Sequence, residues 1–289
     1  MKILVTGANG MLAQEVKKQL KDGNKLICTD VKELDITNEN QVMEYVKNAE
    51  PDYIVNCAAY TAVDKAEEAG EIVEKINADG PANLAKAAKT VDATLVHIST
   101  DYVFGGNLDL QKDYNEDDPK EPVTAYGITK LHGEEKIEAN CDKYYIFRTA
   151  WLYGKGGNNF VKTMTKLGTD RDEISVVSDQ HGSPTYAVDL AKIIKESIEK
   201  KIPYGIYHAT NQGYTTWYEF TKKILEKQGI ECKVNPVTTE EYIEMMKITQ
   251  AKRPFNSQLS KDKLLKQGIE VPSWEDGLDR YLKEKNEEE

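Results

Sequence analysis

Short apolar runs and amphipathic stretches alternate along the first half of the chain. Stretches with helical spacing of apolar residues separate the runs, at 11–22, 38–49, 64–89 and 126–139. The runs are rich in β-forming residues and occupy positions 2–5, 25–30, 52–57, 93–99 and 143–149. Nearly all-apolar strands separated by amphipathic helices are typical of a parallel sheet covered on both faces. The pattern therefore predicts an α/β fold with a doubly wound parallel sheet.

Local signals mark the ends of two of these helices. Gly23 follows the first amphipathic stretch, where a glycine commonly ends a helix. Asn38, with Gln41 three residues later, is typical of a helix start. Pro51 stops the same helix.

The pattern becomes less regular after about residue 150. Strands are predicted at 174–178 and 204–209, and helices at 187–200 and 216–228. We find no linker rich in Pro, Gly or Ser. We therefore expect a sheet domain over 1–150 and a smaller lobe over 151–289 that is interleaved with it. The charged end, residues 283–289, is expected to fray.

Charge and composition narrow the class of protein. The 289 residues include 38 Lys and Arg against 49 Asp and Glu, a net charge of −11. Such an acidic surface disfavours binding to nucleic acid or to anionic membranes. No apolar stretch approaches the roughly 18 residues of a membrane span, and no signal peptide is recognised. The four cysteines lie far apart and are expected to be buried free thiols, which favours a cytoplasmic protein.

A glycine-rich turn joins the first predicted strand to the first predicted helix. Gly7 and Gly10 would let the backbone fold tightly and approach a pyrophosphate, and Ala13 is small enough for the third position of the motif. Asp30 ends the second predicted strand, where a carboxylate can bind an adenosine ribose and repel a 2′-phosphate. Asp30 is equally compatible with the role of an ordinary residue at a strand end. The basic residue Lys32 is compatible with some tolerance for NADP(H). The turn and Asp30 together favour NAD(H).

Two further segments predict acid–base chemistry at the same edge of the sheet. Tyr126 and Lys130 lie four residues apart on a predicted helix, so their side chains share a face. An ammonium close to a phenol lowers the pKa of the phenol, and we expect Lys130 to act on Tyr126 in this way. Thr100 follows the fourth predicted strand, between Ser99 and Asp101. Ligands of open α/β sheets bind at the carboxyl ends of strands, so these groups predict a carbonyl reduction site.

Together with further motifs, these residues make the sequence resemble the extended short-chain dehydrogenase/reductases that act on nucleotide sugars, which have Rossmann-type folds. The later motifs are similar to the dTDP-4-dehydrorhamnose reductase branch, and the resemblance spans nearly the whole chain. The motifs are TGANGMLA at 6–13, Asp30, Leu34 to Ile36, NCAAYTAVDKAE at 56–67, INADG at 76–80, STDYVF at 99–104, YGITK at 126–130, RTAWLYG at 148–154, QHGSPT at 180–185 and RPFNSQL at 253–259.

The resemblance implies roles for individual residues. The domain over 1–150 would bind NAD(P), and most of the residues 151–289 would serve the substrate. The cofactor would be held by Gly7, Gly10, Met11, Leu12, Asp30, Asp35, Ile36, Ala58, Ala59, Tyr60, Thr61, Ser99, Tyr126 and Lys130. The catalytic set would be Thr100, Tyr126 and Lys130. The nucleotide sugar would contact Thr100, Asp101, Val103, Tyr126, Trp151, Arg253 and Asn256.

Several of these residues also have purely structural interpretations. Trp151 could be core packing, and Arg253 could be a surface charge rather than a clamp on the diphosphate. His181 lies in a loop rich in Gly, Ser and Pro, and the sequence does not separate a pocket role from a loop role. His97 lies within an apolar strand and is interpreted as a core histidine.

The resemblance implies reduction of the C4 ketone of dTDP-4-dehydro-6-deoxy-L-mannose to dTDP-L-rhamnose, with NADH as the cofactor and NADPH possible. Related dehydratases carry an acidic residue where this chain has Tyr102, so elimination of water is disfavoured. No metal site is expected, and the chain would be a monomer or a homodimer. One alternative is another nucleotide-linked 4-keto-6-deoxyhexose reductase or epimerase. A second is a non-catalytic regulatory subunit like that of methionine adenosyltransferase, which would not require the catalytic set.

Overall fold

A parallel sheet of six strands lies at the centre of the computed structural model, which describes residues 1–106 and 109–286. The strand order is β10-β5-β4-β3-β1-β2. The strands are β1 (Lys2–Thr6), β2 (Lys25–Thr29), β3 (Tyr53–Asn56), β4 (Thr94–Thr100), β5 (Tyr144–Thr149) and β10 (Gly205–His208). The predicted fold class is confirmed.

Helices cover both faces of this sheet. Because successive side chains point to opposite faces of a strand, Ile3 and Val5 pack against α1 (Met11–Leu20) and α8 (Ala187–Lys200). Leu4 packs on the other side, in the cluster that contains α2 (Glu39–Ala49), α5 (Gly80–Thr90) and α6 (Ala125–Asn140). The two clusters explain why the strands are apolar without alternation.

The region predicted as one helix over 64–89 is broken. It contains α3 (Val63–Ala69), α4 (Glu71–Glu74), a π-helical turn (Lys75–Asp79) and then α5. Gly70 has a φ of +48°, which ends the first piece. The carbonyl of Asn77 in the π-helical turn lies so close to α6 that a Cβ on Gly133 would be 2.2 Å from its oxygen. The break therefore accompanies close packing of this segment against α6.

Other predicted boundaries are close to the observed ones. Helix α1 ends at Leu20, and Gly23, with a φ of +73°, lies in the turn that follows. Asn38 begins α2 as predicted, because its side-chain oxygen accepts a hydrogen bond from the backbone N–H of Gln41 at 3.1 Å. Helix α8 occupies the predicted range, 187–200.

The C-terminal half contains more elements than its pattern predicts. They are β6 (Leu152–Tyr153), α7 (Phe160–Asp170), β7 (Glu173–Val177), β8 (His181–Gly182), β9 (Thr185–Tyr186), β11 (Thr215–Thr216), α9 (Trp217–Lys227), β12 (Lys233–Val237), α10 (Thr239–Met246), β13 (Asn256–Ser257), α11 (Asp262–Lys266) and α12 (Trp274–Asn286). Strand β10 pairs with β5, so residues beyond 150 complete the central sheet. In the charged end, α12 continues to 286, and 287–289 lie outside the described residues.

The cysteines are all free, but they are not all buried. Cys141 is buried, Cys57 and Cys232 are partly buried, and Cys28 is exposed, so the expectation of burial was wrong for Cys28. No helix within the described ranges is long and apolar enough to cross a membrane.

Candidate active site

Three connected cavities lie at the carboxyl edge of the central sheet. The central cavity has a volume of about 500 Å³ and is lined by segments that follow β1, β3, β4 and β5. The N-terminal cavity, of about 820 Å³, shares Gly10 and 57–59 with it. The C-terminal cavity, of about 370 Å³, shares Asp101, Tyr102 and Trp151 with it. The three form one groove across the end of the sheet.

The glycine turn forms the floor where the N-terminal and central cavities meet. Gly7 has a φ of +61°, and a Cβ there would lie 2.7 Å from the backbone of Ala58. A Cβ on Gly10 would lie 3.2 Å from the carbonyl oxygen of Gly7. Helix α1 begins at Met11 with no side chain capping its N-terminus, and Leu12 lines the cavity beside it. This arrangement fits an anion held by backbone N–H groups at a helix start.

The N-terminal cavity contains the predicted adenosine-binding residues. The carboxylate of Asp30 accepts hydrogen bonds from the N–H groups of Asn9, at 3.1 Å, and Val31, at 2.8 Å. Asp35 and Ile36 line the same cavity. The cavity wall therefore brings together residues 30, 35 and 36 as the motifs predict, with Asp30 fixed against the glycine turn.

The loop after β3 forms the wall between the two cavities. Ala58, Ala59 and Thr61 line the central cavity. Tyr60 is held by Asn77, whose side-chain oxygen accepts from its N–H at 2.8 Å and whose amide group donates to its carbonyl at 3.1 Å. The structure does not place the side chain of Tyr60 in the wall of the three cavities.

The predicted catalytic side chains meet in the central cavity. Thr100, Tyr126 and Lys130 line it together with Ser99. Thr124 begins α6 by accepting a hydrogen bond from the N–H of Gly127 at 3.0 Å, which places Tyr126 in the first turn of the helix. The hydroxyl of Thr100 interacts with the phenol of Tyr126 and donates to the carboxylate of Asp101.

The electrostatic effect predicted for Lys130 is absent from the described site. The Nζ atom of Lys130 donates to the carbonyl of Ile98 at 2.6 Å and lies 3.1 Å from Nε2 of His97. Burial raises the pKa of the Tyr126 phenol above its usual value, and Lys130 does not lower it. Burial, partly opposed by Glu134, lowers the pKa of Lys130 to about 8. The expectation that Lys130 acidifies the phenol was therefore wrong for the free protein, and Tyr126 is a protonated donor at neutral pH.

Asp101 lies where the central and C-terminal cavities meet. Its carboxylate accepts hydrogen bonds from Thr100, at 2.9 Å, and from Ser257, at 2.6 Å. Burial raises the pKa of Asp101 to about 6, although both hydroxyl groups act in the opposite direction. A strand of the C-terminal half, β13, thus contacts the segment that carries Thr100.

The C-terminal cavity is largely aromatic. Trp151 is half-buried in its wall and stacks on Trp217, so it forms a platform as well as packing against its neighbour. Arg253 also lines this cavity, but its guanidinium bonds both carboxylate oxygens of Asp64 at 2.7 Å and donates to the phenol of Tyr102 at 3.1 Å. Because Asp64 offsets its charge, Arg253 would hold a diphosphate less strongly than an unpaired arginine would.

Two predicted substrate residues do not line the three cavities. The side chain of Val103 is wholly buried in an apolar cluster with Phe104 and Leu259. Asn256 is buried, and its amide group donates to the carbonyl of Asp109 at 3.0 Å. Both side chains support the loops around the cavities.

Sequence reasoning missed part of the aromatic cavity. Trp217 donates from its indole N–H to the side-chain oxygen of Gln180 at 3.1 Å, and Phe160 and Tyr242 complete the wall. Gln180 begins the QHGSPT motif, which was a usable signal. Nothing in the spacing of Trp217 indicated its role, because its partners are distant in sequence.

Residues 1–287 match the family described as "RmlD substrate binding domain". The chain belongs to this family. It is 40% identical over 299 residues to the dTDP-4-dehydrorhamnose reductase of Escherichia coli (strain K12), an alignment that covers 98% of each chain. The resemblance inferred from the motifs is confirmed.

Two solved structures are similar over nearly their full length. One is a dTDP-4-dehydrorhamnose reductase from Clostridium acetobutylicum ATCC 824, with 48% identity, a TM-score of 0.93 and coverage of 98% of this chain and 99% of that one. The other is a dTDP-4-dehydrorhamnose reductase from Bacillus anthracis str. Ames in complex with NADP, with 44% identity, a TM-score of 0.92 and the same coverage.

Proposed function

We propose that this chain reduces the C4 ketone of dTDP-4-dehydrorhamnose to give dTDP-L-rhamnose, with a nicotinamide cofactor as the hydride source. The observation that carries the proposal is the meeting of Thr100, Tyr126 and Lys130 in the cavity that joins the anion-binding turn to the aromatic cavity. The relatives' names supply the sugar: the Escherichia coli protein, 40% identical, is named for this reaction.

The cofactor would occupy the N-terminal and central cavities, which are lined mostly by the domain proposed over 1–150. The glycine turn and the start of α1 would hold the pyrophosphate, and Asp30 would hold the adenosine ribose. Asp30, Asp35 and Glu71 line the N-terminal cavity against the single cationic side chain of Lys75, which favours NADH over NADPH. The Bacillus anthracis relative was solved with NADP, so NADPH is the alternative cofactor to compare. When bound, the nicotinamide supplies a hydride to a carbonyl carbon.

The chain's own residues would supply the proton and orient the ketone. Tyr126 donates its phenolic proton to the ketone oxygen, so that the C=O bond becomes CH–OH once the carbon has received a hydride. Thr100 lies beside the phenol and would hydrogen-bond the same oxygen. Lys130 directs one N–H to Ile98, and another is available for the ribose of the cofactor. The lobe over 151–289 would provide the aromatic walls for the nucleotide.

Oxidation of NADH and NADPH, measured against a panel of dTDP-, UDP- and GDP-linked 4-keto-6-deoxy sugars, tests this proposal. We expect stoichiometric oxidation with dTDP-4-dehydrorhamnose. Tyr126→Phe tests the proposed proton donor: we expect its turnover to be lower by roughly 10² to 10⁴ and its affinity for the cofactor to be near normal. Sugar interconversion without net NADH oxidation would instead indicate an epimerase. Absence of reductase activity, with a stoichiometric protein partner in a pull-down, would indicate a regulatory subunit.

A further inference from the structure

A buried chain of polar side chains connects β1 to the lysine of the catalytic set. Asn56 and His97 have no exposed surface, and Lys130 is 1% exposed. The amide nitrogen of Asn56 lies 3.0 Å from Nδ1 of His97, and Nε2 of His97 lies 3.1 Å from Nζ of Lys130. Buried polar groups with these separations must pair a donor with an acceptor at each contact.

The orientation of the Asn56 amide is fixed by a backbone group. The side-chain oxygen of Asn56 lies 3.1 Å from the N–H of Ala58, and a backbone N–H can only donate. The hydroxyl of Thr6 donates to the same oxygen at 2.7 Å. The NH₂ group of Asn56 must therefore face His97, and Nδ1 of His97 must accept.

This contact determines the tautomer of His97. A neutral imidazole carries one N–H, so the proton is on Nε2, which faces Lys130. An imidazolium would direct a second N–H at the amide group of Asn56. Burial also lowers the pKa of His97 well below its usual value. An ammonium at Nζ would then face Nε2–H as donor against donor, whereas a neutral amine has a lone pair to accept that proton.

The charged groups around Lys130 compensate for this arrangement only in part. Glu134, on the same helix, is held by the guanidinium of Arg148 and by the hydroxyl of Ser99. The other titratable groups in the wall of the central cavity are the thiol of Cys57, the carboxyl of Asp101 and the phenols of Tyr102 and Tyr126. Burial lowers the pKa of Lys130 to about 8, and an N–H directed at Nζ acts in the same direction.

We propose that His97 is a positioning residue for Lys130: its Nε2–H faces Nζ and favours the neutral amine of Lys130 over the ammonium in the free protein. Asn56 is the residue that sets this direction of donation. The less Lys130 is charged, the less it stabilises the phenolate of Tyr126, so burial chiefly sets the protonated phenol that delivers a proton to a ketone. This consequence for turnover rests on the proposed function, whereas the tests below use the ligand-free protein and need no activity.

The tautomer of His97 is measured by long-range ¹H–¹⁵N NMR of the ligand-free protein with labelled histidine. We expect a protonated nitrogen at Nε2 and an unprotonated nitrogen at Nδ1 near neutral pH. A proton at Nδ1, or at both nitrogens, would overturn the proposal. The signals are assigned by their loss in His97→Gln. Should that variant not fold, single replacement of the other three histidines, at 132, 181 and 208, assigns them by elimination.

The charge of Lys130 is measured from its ¹³Cε shift as a function of pH, with the signal assigned by its loss in Lys130→Met. We expect a titration midpoint below about 8 in the wild type. In His97→Gln, whose amide oxygen can accept from an ammonium, the midpoint should rise by about one pH unit. His132→Gln, on the surface, is the matched control and should leave it unchanged. An ordinary lysine midpoint in the wild type, or no change in His97→Gln, would refute the proposal.

Discussion

The indole of Trp151 lies flat on the indole of Trp217, with ring centroids 3.6 Å apart and planes 14° from parallel. Trp151 has a left-handed backbone, with a φ of +49°. Gly182 makes room for its ring, since a Cβ there would lie 2.9 Å from the indole. The stack joins the segment after β5 to the first residue of α9 and presents a rigid aromatic face to the C-terminal cavity.

Trp217→Ala should weaken binding of the nucleotide sugar without slowing the chemical step. The ring lines the C-terminal cavity and is not in the wall of the central cavity. Loss of an aromatic stacking partner costs about 1 kcal/mol beyond the lost area, so we expect KM for the sugar to rise about tenfold. Initial rates measure this, with KM for the cofactor as the internal control. A large fall in kcat with an unchanged KM would contradict the expectation.

Asp30→Asn should shift the cofactor preference toward NADPH. The carboxylate lies in the N-terminal cavity and would repel a 2′-phosphate, whereas the amide carries no charge. We expect the ratio of kcat/KM for NADH to kcat/KM for NADPH to fall by about tenfold, equal to about 1.4 kcal/mol. Asp22→Asn, on an exposed turn, is the matched control. An unchanged ratio would show that Asp30 does not discriminate between the ribose of NADH and the 2′-phosphorylated ribose of NADPH.

Much of the fold could be predicted because its signals are local. Strand β5 was predicted at 143–149 and observed at Tyr144–Thr149, since a strand buried on both faces is apolar throughout. The glycine turn and the spacing of Tyr126 and Lys130 are equally local, and the parallel topology then brings them to one edge of the sheet. Gly70 interrupts the long predicted helix, and the apolar pattern around it did not reveal the break.

The rest of the site depends on contacts between distant residues. Ser257 donates a hydrogen bond to Asp101, which lies 156 residues earlier in the sequence, and no periodicity of apolar residues predicts such a pair. His97 was interpreted as a core histidine, and it is fully buried. Its contact with Lys130 appears only when β4 and α6 pack together, because the apolar strand pattern carries no information about which polar group faces an interior side chain.

Glu134→Gln should destabilise the fold strongly. The carboxylate of Glu134 and the guanidinium of Arg148 are both almost fully buried, with a shortest contact of 2.7 Å. Removing one partner leaves a buried charge unpaired, which costs about 3 to 5 kcal/mol. Urea unfolding measures this, and Glu196→Gln, in an exposed pair with Lys200, should cost less than about 1 kcal/mol. Equal costs in the two variants would contradict the argument.

Asp101 should make the stability of the fold depend on pH. Its pKa is raised from 3.8 to about 6, chiefly by burial, so the fold favours the protonated carboxyl. The stability contribution of Asp101 is thus present in full below about pH 4 and is lost as pH rises through about 6. A shift of about 2 units corresponds to about 3 kcal/mol.

Asp101→Asn cannot titrate, so the difference in unfolding free energy between this variant and the wild type isolates the effect. We expect the difference to move in favour of the variant by about 3 kcal/mol between about pH 4 and pH 7, measured by urea unfolding. Any packing cost of the new Asn side chain that does not depend on pH is the same at both pH values and cancels in this comparison. Ser257→Ala removes a hydrogen bond that lowers the pKa of Asp101, so the loss of stability in that variant should extend to higher pH. A difference that stays constant with pH would mean that the carboxyl keeps an ordinary pKa in the folded protein.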